Sequence, residues 1–190
     1  MTELEFKQRH AKTKKMLLWF AMISFIMVFA GLTSAYVVSK SRPDWEPFEM
    51  PTPFLISTIL ILISSLTFHL AKKAIQKDDR KSTSVLLLTT LVLGILFVFF
   101  QFKGFSTLIE LGLFFTGPSS TVNSSFLFTI VFAHLLHLAG GLISLLVVIY
   151  NHFKHKYNST QTLGLEIGAI FWHFLDFLWL YLFLFLYFFK

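Results

Sequence analysis

Five long apolar runs, separated by short polar segments, account for most of the 190 residues. Residues 16–39, 53–71, 83–102 and 125–150 contain no Asp, Glu, Lys or Arg, and residues 163–189 contain only Glu166 and Asp176. A helix rises 1.5 Å per residue, so a run of about 20 apolar residues crosses a hydrocarbon core of ~30 Å. The pattern predicts an all-α polytopic membrane protein, a bundle of five transmembrane helices in a single domain over 16–190. Residues 1–15 are polar and basic, and read as a solvated tail.

The connections between the runs carry the expected breakers. Residues 40–52 hold three prolines and the sequence Arg42-Pro43-Asp44-Trp45, where Trp45 and Phe48 suit an interfacial aromatic belt and Lys40, Arg42 and Asp44 suit lipid headgroups or a partner's surface. Pro53 fits the first turn of the second helix, where its missing N–H is harmless. Residues 72–82 are basic, and 151–162 are polar with His152, Lys154, His155 and Lys156. The longest connection, 103–124, contains Gly104, Gly112, Gly117 and Pro118. Its apolar middle, 111–115, is expected at the membrane surface.

Charge then sets the orientation. Twelve of the 16 Lys and Arg residues fall in the tail and the second and fourth loops, all on one side of the membrane. Excess Lys and Arg mark the cytoplasmic side, so the expected N-terminus and its basic tail are cytoplasmic and the C-terminus exoplasmic. The net charge of +6 is therefore a topology signal, not a nucleic-acid footprint. Hydrophobic residues make up 55% of the chain and charged residues 14%, with 25 Phe and a mean hydropathy of +0.71. A soluble domain carries about 25% charged residues. The absence of cysteine excludes disulfides, thiolate metal sites, iron–sulfur clusters and a cysteine nucleophile.

Ionisable groups inside the apolar runs are the candidate chemistry, because such groups are costly in hydrocarbon and face a partner or a cavity. They are His134 and His137 on the fourth run, and His173 and Asp176 on the fifth, with Glu166 nearer its end. At 100° per residue, His134, His137 and Gly141 share one face of their helix. Glu166 and His173 share another, with Asp176 about 60° round. Gly140 and Gly141 allow close approach of a neighbouring helix. Hydrogen bonding between these two stripes is the expected outcome. His69 suits a snorkelling position near the end of the second run.

Several functions could use these groups. His134 and His137 have the i, i+3 spacing of di-iron bundles, but such sites need several inward carboxylates and a second motif. Bis-histidine haem ligation by His137 and His173 would need a small-residue cavity, and Phe and Leu crowd the fifth run. An intramembrane hydrolase would need a nucleophile elbow, which is missing beside Ser125 and Ser144. The bland reading, buried polar anchors that lock helices together or dock a partner, needs none of these.

The motifs of the last two runs resemble subunit III of haem–copper oxidases. Glu166, Trp172-His173-Phe174-Leu175-Asp176, Trp179 and Tyr187 are similar to the family's last helix, and Phe126, His134-Leu135-Leu136-His137-Leu138 and Gly141 to the helix before it. Pro53, Thr58, Ser64-Ser65 and Gln101 extend the likeness over most of the apolar sequence. The resemblance implies a short five-helix bacterial form without the two extra N-terminal helices of the seven-helix form. It implies no haem or copper in this chain, with both held by partner subunits. It implies packing against the catalytic subunit I and other oxidase subunits, phospholipid binding, and a place in the bacterial plasma (inner) membrane, in a respiratory assembly, by itself or within a larger respiratory supercomplex, that reduces oxygen with electrons from cytochrome c and moves protons. A quinol oxidase or nitric oxide reductase would use an equivalent subunit, and a stand-alone haem-binding or transport protein is the alternative of another class. His134, His137, Gly141, Glu166, Trp172, His173, Asp176 and Trp179 are then a polar and aromatic network for lipid or subunit contact, not catalytic residues. Three positions depart from the family pattern. Phe25 follows Ser24 where a glutamate is common, Leu135 replaces a glycine, and Gly104-Phe105 replaces a Glu-Tyr pair.

Overall fold

The computed structural model describes residues 3–43, 45, 47, 49–117, 120–158 and 161–189. Asp44, Phe48 and Pro118, to which the sequence assigns interfacial or turn roles, lie outside the described residues. The fold is five long helices: α1 (Glu3–Ser39), α2 (Thr52–Gln76), α3 (Arg80–Glu110), α4 (Val122–Phe153) and α5 (Leu163–Phe189). All five are long and apolar enough to cross a membrane. Each expected run lies inside one helix, and most helices extend past the run into the polar flanks.

Two extensions change the picture. Helix α1 starts at Glu3, so most of the basic segment read as a tail is helical and continuous with the first span. No proline or glycine precedes Gly31 in this stretch, and nothing in the sequence stops the helix there. Helix α3 runs through Gly104 to Glu110, so the connection to α4 is much shorter than 103–124. Gly104 is not a breaker. It lies under the Phe54 ring, and a Cβ built there would come within 2.7 Å of Phe54 Cζ.

Helices α2 and α3 make the most extensive contact, and their buried residues show why. Those of α2 include Phe54, Ser57, Ile61, Ser64, Phe68, Ala71 and Ile75, and those of α3 are Thr83, Leu87, Thr90, Gly94, Phe97, Gln101, Gly104 and Leu108. Both series advance by alternating threes and fours, the 3.5-residue repeat of two helices that supercoil against each other. Small residues in both seams let the backbones approach closely, as membrane helix pairs require. Asp79 caps α3 by accepting from the Ser82 backbone N–H at 3.0 Å and its hydroxyl at 2.6 Å.

Helix α5 packs against α2 and α4, and α4 against α3, so α2 to α5 close a four-helix ring. Among the described residues, helix α1 packs only on α4 and α5 and leaves most of its surface outward. It runs parallel to α5. Lys15 Nζ bonds Glu166 Oε2 at 3.1 Å, the Tyr181 hydroxyl donates to Thr33 Oγ1 at 3.3 Å, and Lys40 Nζ donates to the Phe189 carbonyl at 3.2 Å. The described loops are tied as well. Arg80 Nη2 donates to the Tyr157 carbonyl at 3.2 Å, joining the start of α3 to the α4–α5 connection. Burial in that loop pushes the Tyr157 phenol up from its ordinary pKa.

Candidate functional site

The two tryptophans of α5 are the largest buried side chains of the bundle, and their polar edges point at α2. Trp172 Nε1 donates to Ser64 Oγ at 3.0 Å, and Trp179 Nε1 donates to Thr58 Oγ1 at 2.9 Å. Each hydroxyl passes its own proton on, Ser64 to the Thr90 carbonyl at 3.5 Å and Thr58 to the Phe54 carbonyl at 2.7 Å. The indoles thus fill the ring's interior with apolar surface while every N–H is satisfied, as buried tryptophan requires. Gly94 of α3 and Gly141 of α4 make room for this. A Cβ at Gly94 would lie 2.9 Å from Trp172 Cη2, and one at Gly141 2.6 Å from Leu175 Cδ1.

His134 is fully buried in an aromatic box. Its ring centroid is 5.2 Å from Trp179, 6.1 Å from Phe97 and 6.3 Å from Phe29, and neither ring nitrogen has a hydrogen-bond partner. His137, half-buried, turns back on its own helix, with Nδ1 2.6 Å from the Ala133 carbonyl. Phe25 and Phe29 of α1 pack edge-on against its ring at 4.2 and 5.3 Å. These histidines therefore meet aromatic rings of α1, α3 and α5 and not the polar stripe of α5.

His173 faces α2. Its Nδ1 lies 2.7 Å from Ser65 Oγ, and its ring centroid is 6.2 Å from that of His69. Asp176 is 1% exposed, and neither carboxyl oxygen makes a well-formed hydrogen bond. Glu166 sits at the helix end, accepting from Thr162 Oγ1 at 2.9 Å as well as from Lys15.

The structure thus joins Trp172, Trp179 and His173 to α2 instead of joining His173 and Asp176 to His134 and His137. A helix period shows which residues of one helix share a face but not which neighbour that face meets. The α2 hydroxyls Thr58, Ser64 and Ser65, known from sequence only through a resemblance, are the receiving side. Their signal is the paired hydroxyl residues Ser57-Thr58 and Ser64-Ser65, seven apart on α2, which match the seven-residue spacing of Trp172 and Trp179 on α5. Gly94 gave no such signal. Among the described residues no three His, Asp or Glu side chains are grouped so as to hold a metal ion.

The family model described as cytochrome c oxidase subunit III matches residues 2–190. A cytochrome bo(3) ubiquinol oxidase subunit 3 of Buchnera aphidicola subsp. Schizaphis graminum is 30% identical, over 90% of this chain and 90% of its own length. One of Pseudomonas aeruginosa is 29% identical over 87% of this chain and 79% of its own. A cytochrome c oxidase subunit 3 of Corynebacterium diphtheriae is 29% identical over 86% of this chain and 82% of its own.

Proposed function

Since the chain belongs to the cytochrome c oxidase subunit III family, we propose that it is the non-catalytic third subunit of a bacterial terminal oxidase, held in the plasma membrane with its basic N-terminal end in the cytoplasm. The family match over nearly the whole chain carries this reading. The subunit packs against the catalytic subunit I, which with other partners holds the haem and copper, and it contributes a rigid wall and bound phospholipid. The interior of the bundle supports a scaffold role, because the tryptophan N–H groups and the α2 hydroxyls are engaged in hydrogen bonds that lock helices. His134, His137, Gly141, Glu166, Trp172, His173, Asp176 and Trp179 serve the packing that shapes the outer surface.

Relatives of both donor types favour a second reading for the assembly alone. Some similar proteins are subunits of ubiquinol oxidases and others of cytochrome c oxidases, and in that reading a quinol replaces cytochrome c as donor without changing the role of this chain. Gentle purification with this chain tagged, followed by mass spectrometry of the intact assembly, tests both. Recovery with a haem–copper catalytic subunit is expected. The Asp176→Leu variant is expected to assemble less firmly or to lose turnover sooner, with a near-normal initial oxidase rate. Immediate loss of haem or copper from that variant would overturn the scaffold reading.

A further inference from the structure

Helix α4 ends in a backbone turn that normally belongs to glycine. Phe153 is its last residue and Lys154 its cap. The His155 N–H donates to the His152 carbonyl at 3.0 Å and the Lys156 N–H to the Asn151 carbonyl at 3.1 Å, the paired bonds of a Schellman motif. That motif puts the residue after the cap in the left-handed region, and here this residue is His155, with a φ of 55°. A side chain with a Cβ is held there at a steric cost that glycine avoids. The contact that holds it comes from α3. Arg80, the first residue of α3, reaches the α4–α5 connection with two nitrogens. Its Nη1 lies 2.5 Å from His155 Nδ1, and its Nη2 donates to the Tyr157 carbonyl at 3.2 Å. A guanidinium has donors only and keeps its proton in proteins. The contact therefore requires a lone pair on His155 Nδ1, so the imidazole is neutral, with its proton on Nε2. A second proton would set N–H against N–H and cation against cation.

We infer that Arg80 and His155 form an acid-released latch between the start of α3 and the end of α4. With a neutral imidazole the guanidinium spans His155 and Tyr157 and closes the connection onto α3. When the exposed ring takes a proton from water, Arg80 keeps only the Tyr157 carbonyl, and the left-handed turn loses its support. Residues 154–156 then open. Tyr157 stays anchored, because it is buried and its hydroxyl lies 2.5 Å from where a Cβ at Gly164 would stand. The direction follows from the donor count. The latch is closed where the imidazole is neutral, and is lost as pH falls through the range between about 8 and 5 in which histidines gain charge. Opening alters the charged surface at the Lys- and Arg-rich end of the bundle in step with the pH of the water that faces it.

The surrounding groups favour release. From α4, His152 lies within electrostatic reach of both Arg80 and His155, but it is buried and its Nε2 lies 2.9 Å from Ser84 Oγ. The connection itself supplies Lys154, whose ammonium sits 4.6 Å from the centre of the Tyr150 ring, and Lys156. From the α2–α3 turn come Asp78 and Asp79, with Asp79 taken up by Ser82, and Lys81 follows Arg80 on α3. On α5, Glu166 is taken up by Lys15 and Thr162. A proton added to His155 therefore enters a cationic neighbourhood.

Hydrogen exchange of the His155 and Lys156 amides tests the latch in the full chain in phosphatidylcholine nanodiscs, independently of any oxidase partner. Protection, corrected for the intrinsic pH dependence of exchange, is compared at about pH 8 and about pH 5. Wild type is expected to lose protection about tenfold on acidification, the scale set by one hydrogen bond to a charged group. His155→Asn keeps an acceptor and tolerates the left-handed region but does not titrate, so it should stay protected at both values. Arg80→Gln can offer its amide nitrogen to a neutral ring and its oxygen to a charged one, so it should also lack the step. His152→Gln leaves the latch in place and should keep the step. The proposal is overturned if wild type shows no step, if His155→Asn or Arg80→Gln retains one, or if His152→Gln abolishes it. Should His152→Gln fail to fold, wild type and His155→Asn decide alone.

Discussion

Gly94→Ala is the sharpest probe of how the interior is held. The new methyl would sit 2.9 and 3.1 Å from Cη2 and Cζ2 of Trp172 and 3.2 Å from Leu142 Cδ2. The indole cannot simply step aside. It is 1% exposed, packs against Phe68 and is fixed by its N–H bond to Ser64 at 3.0 Å. Alanine gains about 1 kcal/mol of helix propensity over glycine. Overpacking a filled core costs about 1–3 kcal/mol, and disturbing the indole hydrogen bond about 1 kcal/mol more. A net loss of about 1–3 kcal/mol is expected. Gly140→Ala is the control, since a Cβ there meets nothing within 4 Å and only the propensity gain applies. Unfolding from mixed micelles by sodium dodecyl sulfate, followed by tryptophan fluorescence, compares the two. The same Gly94→Ala change in a Trp172→Phe background should be neutral or stabilising, because the ring that it strikes has gone. Equal stability of wild type and Gly94→Ala, or an identical loss in both backgrounds, would refute the reasoning.

Two further outcomes follow from the helix ends. Lys15→Ala removes the α1–α5 ion pair, whose side chains are 44% and 25% exposed, so the loss should stay below about 1 kcal/mol and shrink with added salt in the same micelle titration. Asp79→Ala removes the α3 cap and should lower stability at neutral pH. The Ser82 hydroxyl and then its N–H hold the Asp79 carboxyl below its ordinary pKa. The folded pKa therefore lies under the unfolded one, so the cap's contribution is complete above the unfolded value and fades as pH falls through the folded value. Wild type and Asp79→Ala should converge in acid, and a stability gap that stays constant across that range would contradict the assignment.

The sequence by itself determined the membrane class, the number of spans and the all-helical fold, because twenty uncharged apolar residues have few other ways to satisfy their backbone. It also marked the ionisable groups of α5, since Glu166, His173 and Asp176 stand out against an apolar background. The tertiary structure alone decided their partners. His173 meets Ser65 of α2, while His134 on the adjoining α4 is enclosed by rings from three helices. Helical periodicity fixes the angle between residues on one helix, whereas the neighbour each face meets depends on how the whole ring closes. Gly104 shows the same limit at a helix end. Read locally it breaks a helix, but under the Phe54 ring it is the residue that lets α2 and α3 close together.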